Sequence, residues 1–376
     1  MLIILLILIF IRPFIASFAF PYLNIGYSAA LLVFLLAWTI FKGIPLTEIQ
    51  PLKRPLVLFC LALIISVIFS TFKLNSFIEL YRYVSAMLLF LIITNLDHEN
   101  RTRVARILVF AGLAIALFGV YQRFFGFKDI LGYLTNQNSP TSFALDYISR
   151  KRVFYPFVTP NILGGYLAMI LPLALIFKDR NWLIIPLSFA LLLTQSIGAL
   201  LSLFSAVLIY FSFRGKLKKR EIIFLIGLIL IIACVFMARI SAQKEHTKPI
   251  ISILMRLNYW KEALMVIEKS PLTGVGLGNF FITPSLFAHN SFLQIWAEMG
   301  ILGIIAFIWL SGKVLVVAFK AIKKSGYKKE VILLLIANLT FLFNNVMDFS
   351  FFLPEVMLVW WVILGLLYAD CALMEN

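Results

Sequence analysis

The sequence is poor in charge, in cysteine and in histidine. Only 13% of its 376 residues are charged while 62% are hydrophobic, a balance that excludes an ordinary water-soluble domain. Three cysteines, Cys60, Cys234 and Cys371, lie in or beside apolar runs with no metal-ligand spacing and no pairing logic. They read as free, buried thiols. The polar loops hold no acidic cluster of the kind that binds magnesium or manganese, so neither a metal nor a cofactor is expected. Gly274, Gly276 and Gly278 follow no strand and miss the spacing of a dinucleotide fingerprint. They read instead as a turn whose exposed amides could meet an anion. There is no internal repeat and no sign of a second, soluble domain.

What the chain has in quantity is apolar sequence of membrane-spanning length, from end to end. The net charge of +16 would suggest nucleic acid in a soluble protein. Here much of it sits in short links between apolar runs, where it is mainly a topology signal and implies no nucleic-acid partner. Met1 to Phe20 lacks a basic n-region and is interrupted by Arg12-Pro13, so it is taken as a first span, not a signal peptide. Further spans are expected at about Ile25–Phe41, Leu56–Phe72, Ser76–Leu96 and Val104–Phe124. A sixth opens at Pro160-Asn161 and ends at Lys178 and Arg180. The run from Trp182 to Phe213 is too long for one span, and its polar step Thr194-Gln195-Ser196 divides it into two short ones meeting at the outer face. Ile222–Met237, Ser291–Leu310, Val331–Val346 and Glu355–Ala369 complete the set, with a basic link from Lys313 to Lys329.

The reading is an all-α integral membrane protein of about twelve spans with both ends inside. It forms one polytopic domain over residues 1–376: five spans in 1–124, an outer loop at 125–159, central spans in 160–238, a large outer loop at 239–290, and three last spans in 291–376. The first outer loop breaks the positive-inside rule with Arg123, Lys128, Arg150, Lys151 and Arg152, which calls for an anionic ligand or for lipid headgroups. In the second, Ile250, Ile253, Leu254, Leu257, Trp260, Leu264 and Ile267 keep helical spacing, so an amphipathic helix is expected there.

The stretch from Pro271 to Gly303, PLTGVGLGNFFITPSLFAHNSFLQIWAEMGILG, is a glycine-rich polar loop that runs through His289-Asn290 straight into an apolar helix. Ser291 and Gln294 have capping-box spacing for that helix. His289 would stand at the mouth of the bundle, either as a cap at headgroup level or as an acid–base group. Glu298 at membrane depth reads as a hydrogen-bonding tie in preference to a proton acceptor. Glu79 and Arg82, deep in the fourth span, either pair with each other or meet a ligand. Arg256 and Trp260 share a helix face, as a cation–π pair, as site residues, or both.

These blocks together resemble the O-antigen ligase and polymerase superfamily. The likeness rests on Arg256 with Trp260, on PLTGVGLGNF, on HNSFLQIWAEMGILG, on RVFYPFVTPNILGGYLAMILPLAL from Arg152, and on NNVMDFSFFLP from Asn344. One departure is Ile197, which stands where that family often carries an arginine. The resemblance implies a metal-independent, inverting glycosyltransferase of the bacterial inner membrane whose site faces the periplasm. Its donor would be an undecaprenyl-pyrophosphate-linked glycan and its acceptor the lipid A core or a growing glycan, with membrane lipid around it. His289 and Arg256 would be catalytic, the histidine as general base or as pyrophosphate ligand. Arg82, Arg123, Arg152, Asn161, Trp260 and Asn290 would bind substrate, with Gly274, Gly276, Gly278, Glu298 and Asp348 in support. A carrier for lipid-linked saccharides is the rival class, for which paired halves with broken helices would be expected.

Overall fold

The computed structural model describes residues 1–45, 49–128, 147–177, 182–215, 217–241, 249–282, 285–325 and 328–372. Among them every regular element is helical. In chain order the helices are α1 (Leu2–Ile11), α2 (Pro21–Lys42), α3 (Lys53–Ile68), α4 (Lys73–Thr94), α5 (His98–Tyr121), α6 (Pro160–Ala174) and α7 (Ile184–Leu193). They continue with α8 (Ile197–Arg214), α9 (Lys219–Ser241), α10 (Pro249–Lys269), α11 (Ser291–Ser325), α12 (Lys329–Asn344) and α13 (Pro354–Ala372).

Among the described residues, eight helical stretches are long and apolar enough to cross a membrane: those of α2, α3, α4, α5, α8, α9, α11 and α13. The first apolar run is not one of them. It ends as a helix at Ile11, and a 3-10 turn, Arg12–Phe14, follows because proline cannot continue the hydrogen-bond ladder. The fifth helix runs past its expected end through a π turn, Gln122–Gly126. α6 is only 15 residues long and carries Pro172 near its end; the expected basic end of this span, Lys178 and Arg180, lies outside the described residues. The division at Thr194–Ser196 stands: α7 ends at Leu193, and the Ser196 hydroxyl accepts from the Ala199 amide to cap α8.

The tenth span differs most from expectation. Lys313 does not begin a link: the helix continues to Ser325, carrying Lys313, Lys320, Lys323 and Lys324 on it. A four-carbon stem lets each ammonium reach past apolar surface to the headgroups, so lysines do not end a helix near the interface. The break comes at the other end, at Gly300, whose φ is +66°. The thiols also differ among themselves, with Cys371 buried, Cys60 half-buried and Cys234 exposed on α9.

α13 is the axis of the bundle, with 89% of its apolar window buried, whereas only 17% of α9's is. Trp360 and Trp361 are fully enclosed, and α13 lies along α4 while α12 lies against α6 and α8. Large apolar side chains such as Val33, Ile40, Ile223 and Leu230 face outward on α2 and α9, as lipid contact requires. The helices alternate between two ends of the bundle. Arg101 at the start of α5 pairs with Asp370 at the end of α13 (2.9 Å), and Arg12 pairs with Glu355 at its start (3.3 Å). The Arg12 end also holds residues 285–290 and the turn from Asn345 to Leu353, through Phe18 on Phe287 (5.9 Å) and Ser291 on Asn345 (2.7 Å). The Arg101 end carries most of the basic links, among them Arg103, Arg106, Arg214 and Lys323.

Candidate functional site

A helix broken inside a bundle leaves amides and carbonyls without partners, each costing about 1–3 kcal/mol if buried and unmet. The glycine-rich loop meets them. The carbonyls of Ala297 and Glu298 accept from the amides of Val275 (2.8 Å) and Gly276 (3.1 Å), and the Ile301 amide donates to Pro271 (2.9 Å). The Ser66 hydroxyl donates to Glu298 O as well (2.8 Å). The glycines are needed for this close approach. A Cβ on Gly274 would lie 2.3 Å from Glu298 O, one on Gly276 2.5 Å from Ser70 Cβ, and one on Gly278 2.6 Å from Glu79 Cγ, with φ positive at all three. The amides read as open to an anion are therefore engaged: Gly278 N–H donates to Glu298 Oε2 (2.9 Å).

From this clasp a line of hydrogen bonds leads to the start of α11. Gln294 Nε2 donates to Glu298 Oε1 (2.9 Å), and Gln294 Oε1 accepts from the Ala288 amide (3.1 Å). The cap is Asn290, not Ser291: Asn290 Oδ1 accepts from the amides of Phe292 (3.0 Å) and Leu293 (3.2 Å). Ser291 instead donates to Asn345 Oδ1, fastening the helix to the turn from Asn345 to Leu353. Asn290 sits one residue before the first helical residue, where its side-chain oxygen faces the free amides, while the Ser291 hydroxyl is engaged elsewhere.

His289 is thereby held between a cap and a clasp, at φ +51°. Its ring stacks on Tyr259 of α10 (5.2 Å, 21°) and meets Phe349 edge-on (4.7 Å). Trp260 Nε1 donates to the His289 carbonyl (3.4 Å). Burial, and then the positive charge of Arg256, push the imidazole down to about 4. At neutral pH it is an uncharged ring with a lone pair.

Arg256 lies within electrostatic reach of both His289 and Asp348. Its Nη1 donates to Ser252 Oγ (3.3 Å), while its buried Nε has no hydrogen-bond partner among the described residues. Asp348 is buried; Oδ1 accepts from the Phe349 amide (2.8 Å) and Oδ2 from Asn344 Nδ2 (3.3 Å), and desolvation raises its carboxyl above the ordinary range. His289, Arg256, Trp260, Asn290 and Asp348 thus form one group at one end of the bundle.

The other candidates surround it. Arg82 pairs with Glu79 at 2.6 Å behind the glycine clasp, its Nε unpaired among the described residues. Arg152 is buried and donates from Nε to Thr194 O (2.9 Å) and from Nη2 to Asn161 Oδ1 (3.0 Å). Asn161 is one turn from Gly165, where a Cβ would lie 2.4 Å from Asn344 Nδ2, so this pair reaches the Asp348 turn across the α6–α12 contact. Arg123 is half-buried on the π turn, and no hydrogen bond or ion pair among the described residues ties it to the His289 group. Lys128 is exposed.

Three elements of the site were missed in the sequence. Tyr259 could have been found from its place three residues after Arg256 on one helix face. Phe349, Asn344 and Asn345 lie in the NNVMDFSFFLP block that carries part of the likeness, but their place beside His289 follows only from the fold. Arg12, an isolated charge in an apolar run, did signal a buried partner; Glu355 and Asn24 (2.8 Å) answer it.

A family model described as O-Antigen ligase matches residues 182–308. The match supports the O-antigen ligase superfamily for this chain. No curated protein matches the chain. The matched stretch contains Arg256, Trp260, the three glycines, His289, Asn290 and Glu298; Arg82, Arg123, Arg152, Asn161 and Asp348 lie outside it. That family implies a glycosyltransferase-like enzyme handling lipid-linked glycans in a membrane.

Proposed function

We propose that the chain is a ligase-type glycosyltransferase that moves a glycan from undecaprenyl pyrophosphate to the lipid A core oligosaccharide. In this reading twelve passes leave the His289 end facing the periplasm of a bacterial inner membrane, with the basic Arg101 end inside. The observation that carries it is a half-buried, uncharged His289 within electrostatic reach of an Arg256 whose buried Nε has no hydrogen-bond partner among the described residues. The acceptor hydroxyl attacks the anomeric carbon opposite the bond to pyrophosphate, and that C–O bond breaks with inversion. The hydroxyl proton passes to the imidazole. The charge developing on the leaving pyrophosphate is met by Arg256, whose planar guanidinium can grip two oxygens. Arg82, Arg123 and Arg152 supply further positive charge for the phosphates or for an acidic glycan. Asn161, Trp260 and Asn290 contact the sugars, and the glycine clasp with Glu298 and Asp348 holds the wall in place.

A polymerase of the same superfamily is the second reading, since the same wall would serve a glycan acceptor still on its carrier. Purified protein is incubated with lipid-linked glycan and lipid A core, with and without chelator, and products are sized on a gel. One jump in acceptor mass supports the ligase, and a ladder on the carrier lipid supports the polymerase. Absence of both products defeats the transferase reading. Activity lost with chelator and restored by magnesium defeats the metal-independent mechanism.

A further inference from the structure

Two backbone amides donate into one buried chain of side chains at the start of α11. Ala288 N–H, one residue before His289, donates to Gln294 Oε1 (3.1 Å), and Gly278 N–H in the glycine loop donates to Glu298 Oε2 (2.9 Å). Between these ends Gln294 Nε2 donates to Glu298 Oε1 (2.9 Å). Gln294 and Glu298 are each 2% exposed, so bulk water does not replace a partner lost from the chain. The two ends dictate what stands between them. A side-chain amide passes the direction of donation on, because it accepts at oxygen and donates at nitrogen, whereas a carboxylate accepts at both oxygens and reverses it. Two inward-pointing donors therefore need one amide and one carboxylate. Two amides leave an N–H facing an N–H however they are flipped, and two carboxylates need a proton held between them.

We propose that Gln294 is a positioning residue for His289, acting through Ala288, with Glu298 as the carboxylate that fixes the direction of its amide; the inference rests on the transferase reading above. His289 has φ +51°, a conformation that L side chains rarely adopt and that neighbouring structure has to hold. Asn290 holds the chain after it by capping α11, and Trp260 Nε1 donates to its own carbonyl (3.4 Å). On the other side it is Gln294 that holds the residue before it. Loss of that bond frees Ala288, and the backbone can then leave the left-handed region. The imidazole would swing off Tyr259 and Phe349, the two rings that flank it. Because the same chain ends on Gly278, the imidazole and the glycine clasp are set by one line of hydrogen bonds.

The test exchanges the two side chains and measures transfer from lipid-linked glycan to lipid A core, with a melting profile in detergent for each variant. E298Q puts two amides in the chain. Q294E/E298Q puts the carboxylate at 294 and the amide at 298, so every donor again has an acceptor. E298Q and Q294L are expected to lower kcat on the order of tenfold or more, with donor KM within about twofold of wild type because Arg256 is not displaced. Q294E/E298Q recovers most of that loss. In an H289Q background, which lacks the group being positioned, Q294L takes less than about twofold from the residual rate, as residues acting as one unit require. A Q294E/E298Q protein no more active than E298Q, a rise in KM with kcat unchanged, or a Q294L loss that adds in full to that of H289Q overturns the proposal and leaves Gln294 a structural tie. Should E298Q not fold, recovery of a folded, active Q294E/E298Q protein is the same rescue, and a double variant that also fails to fold overturns it. Wild-type protein that gives no transfer product refutes the transferase reading itself, a result distinct from these.

Discussion

Acid tolerance of transfer is the sharpest consequence of the surroundings of His289. Its value of about 4 arises first from desolvation and second from Arg256. A group with that value is ~90% neutral at pH 5 and fully neutral at pH 7, whereas an ordinary imidazole at ~6.5 is ~3% and ~76% neutral at the same two points. If transfer needs the neutral ring, the ratio of kcat/KM at pH 5 to that at pH 7 is about 0.9 in this setting and about 0.04 for a solvated histidine. The assay is an initial-rate series from pH 4 to 8 with lipid-linked donor and acceptor at constant ionic strength. Asp348 is the other buried titrating group beside Arg256, so D348N is run in parallel to remove any limb it adds. R256Q removes the second cause and keeps the first, so its limb moves upward yet stays below 6.5. Stability follows the same sign. Between 6.5 and about 4 the unfolded chain holds a proton that the native pocket excludes, so the fold weakens as pH falls through that window. A wild-type rate that drops some twentyfold between pH 7 and pH 5, and does so in D348N as well, would refute His289 as the acceptor's base.

R256K keeps the charge but loses the planar fork, so transfer should fall on the order of a hundredfold with the melting profile unchanged, read as kcat/KM against wild type; a variant as active as wild type removes Arg256 from the site. G300A places a Cβ 2.0 Å from Leu272 O at φ +66°, and a loss of about 3 kcal/mol or more is expected in a denaturation series, against no loss for G312A, where nothing lies within 4 Å. Cysteines introduced at Ser149 and Ser270 should react with an impermeant reagent in intact spheroplasts, and protection of both would reverse the orientation.

The helical class was legible because composition and run length settle it without knowledge of any contact. The step at Thr194–Ser196 was legible for the same local reason, as a polar cluster in an apolar run. Boundaries set by tertiary partners were not. Gly300 sits in an apolar helix pattern with nothing beside it to announce a break, and the loop from Pro271 to Gly278, twenty-odd residues earlier, with Ser66 of α3, supplies the partners that make the break tolerable. Lys313 looked like a boundary because charge is scarce in the chain, yet long side chains carry charge away from a helix without ending it. In the candidate site, His289 could be named from the stretch Pro271–Gly303, and Arg256 with Trp260 from the helical run before it. Tyr259 and Phe349, which flank the imidazole, come from two separate segments.

The glycine clasp would let the proposed chemistry sit on a loop and yet be held rigidly. Catalytic geometry needs reacting groups fixed to within a fraction of an ångström, and a free loop cannot do this. Here residues 271–278 are bound to the broken backbone of α11, and the same helix start is capped by Asn290 and fastened through Ser291 to Asn345. His289 lies between these anchor points, so its left-handed backbone is held from both sides. A helix that continued unbroken through Gly300 would leave Val275 and Gly276 without acceptors and release the loop. The break is therefore a condition for the site, because its unpaired carbonyls are what the loop binds.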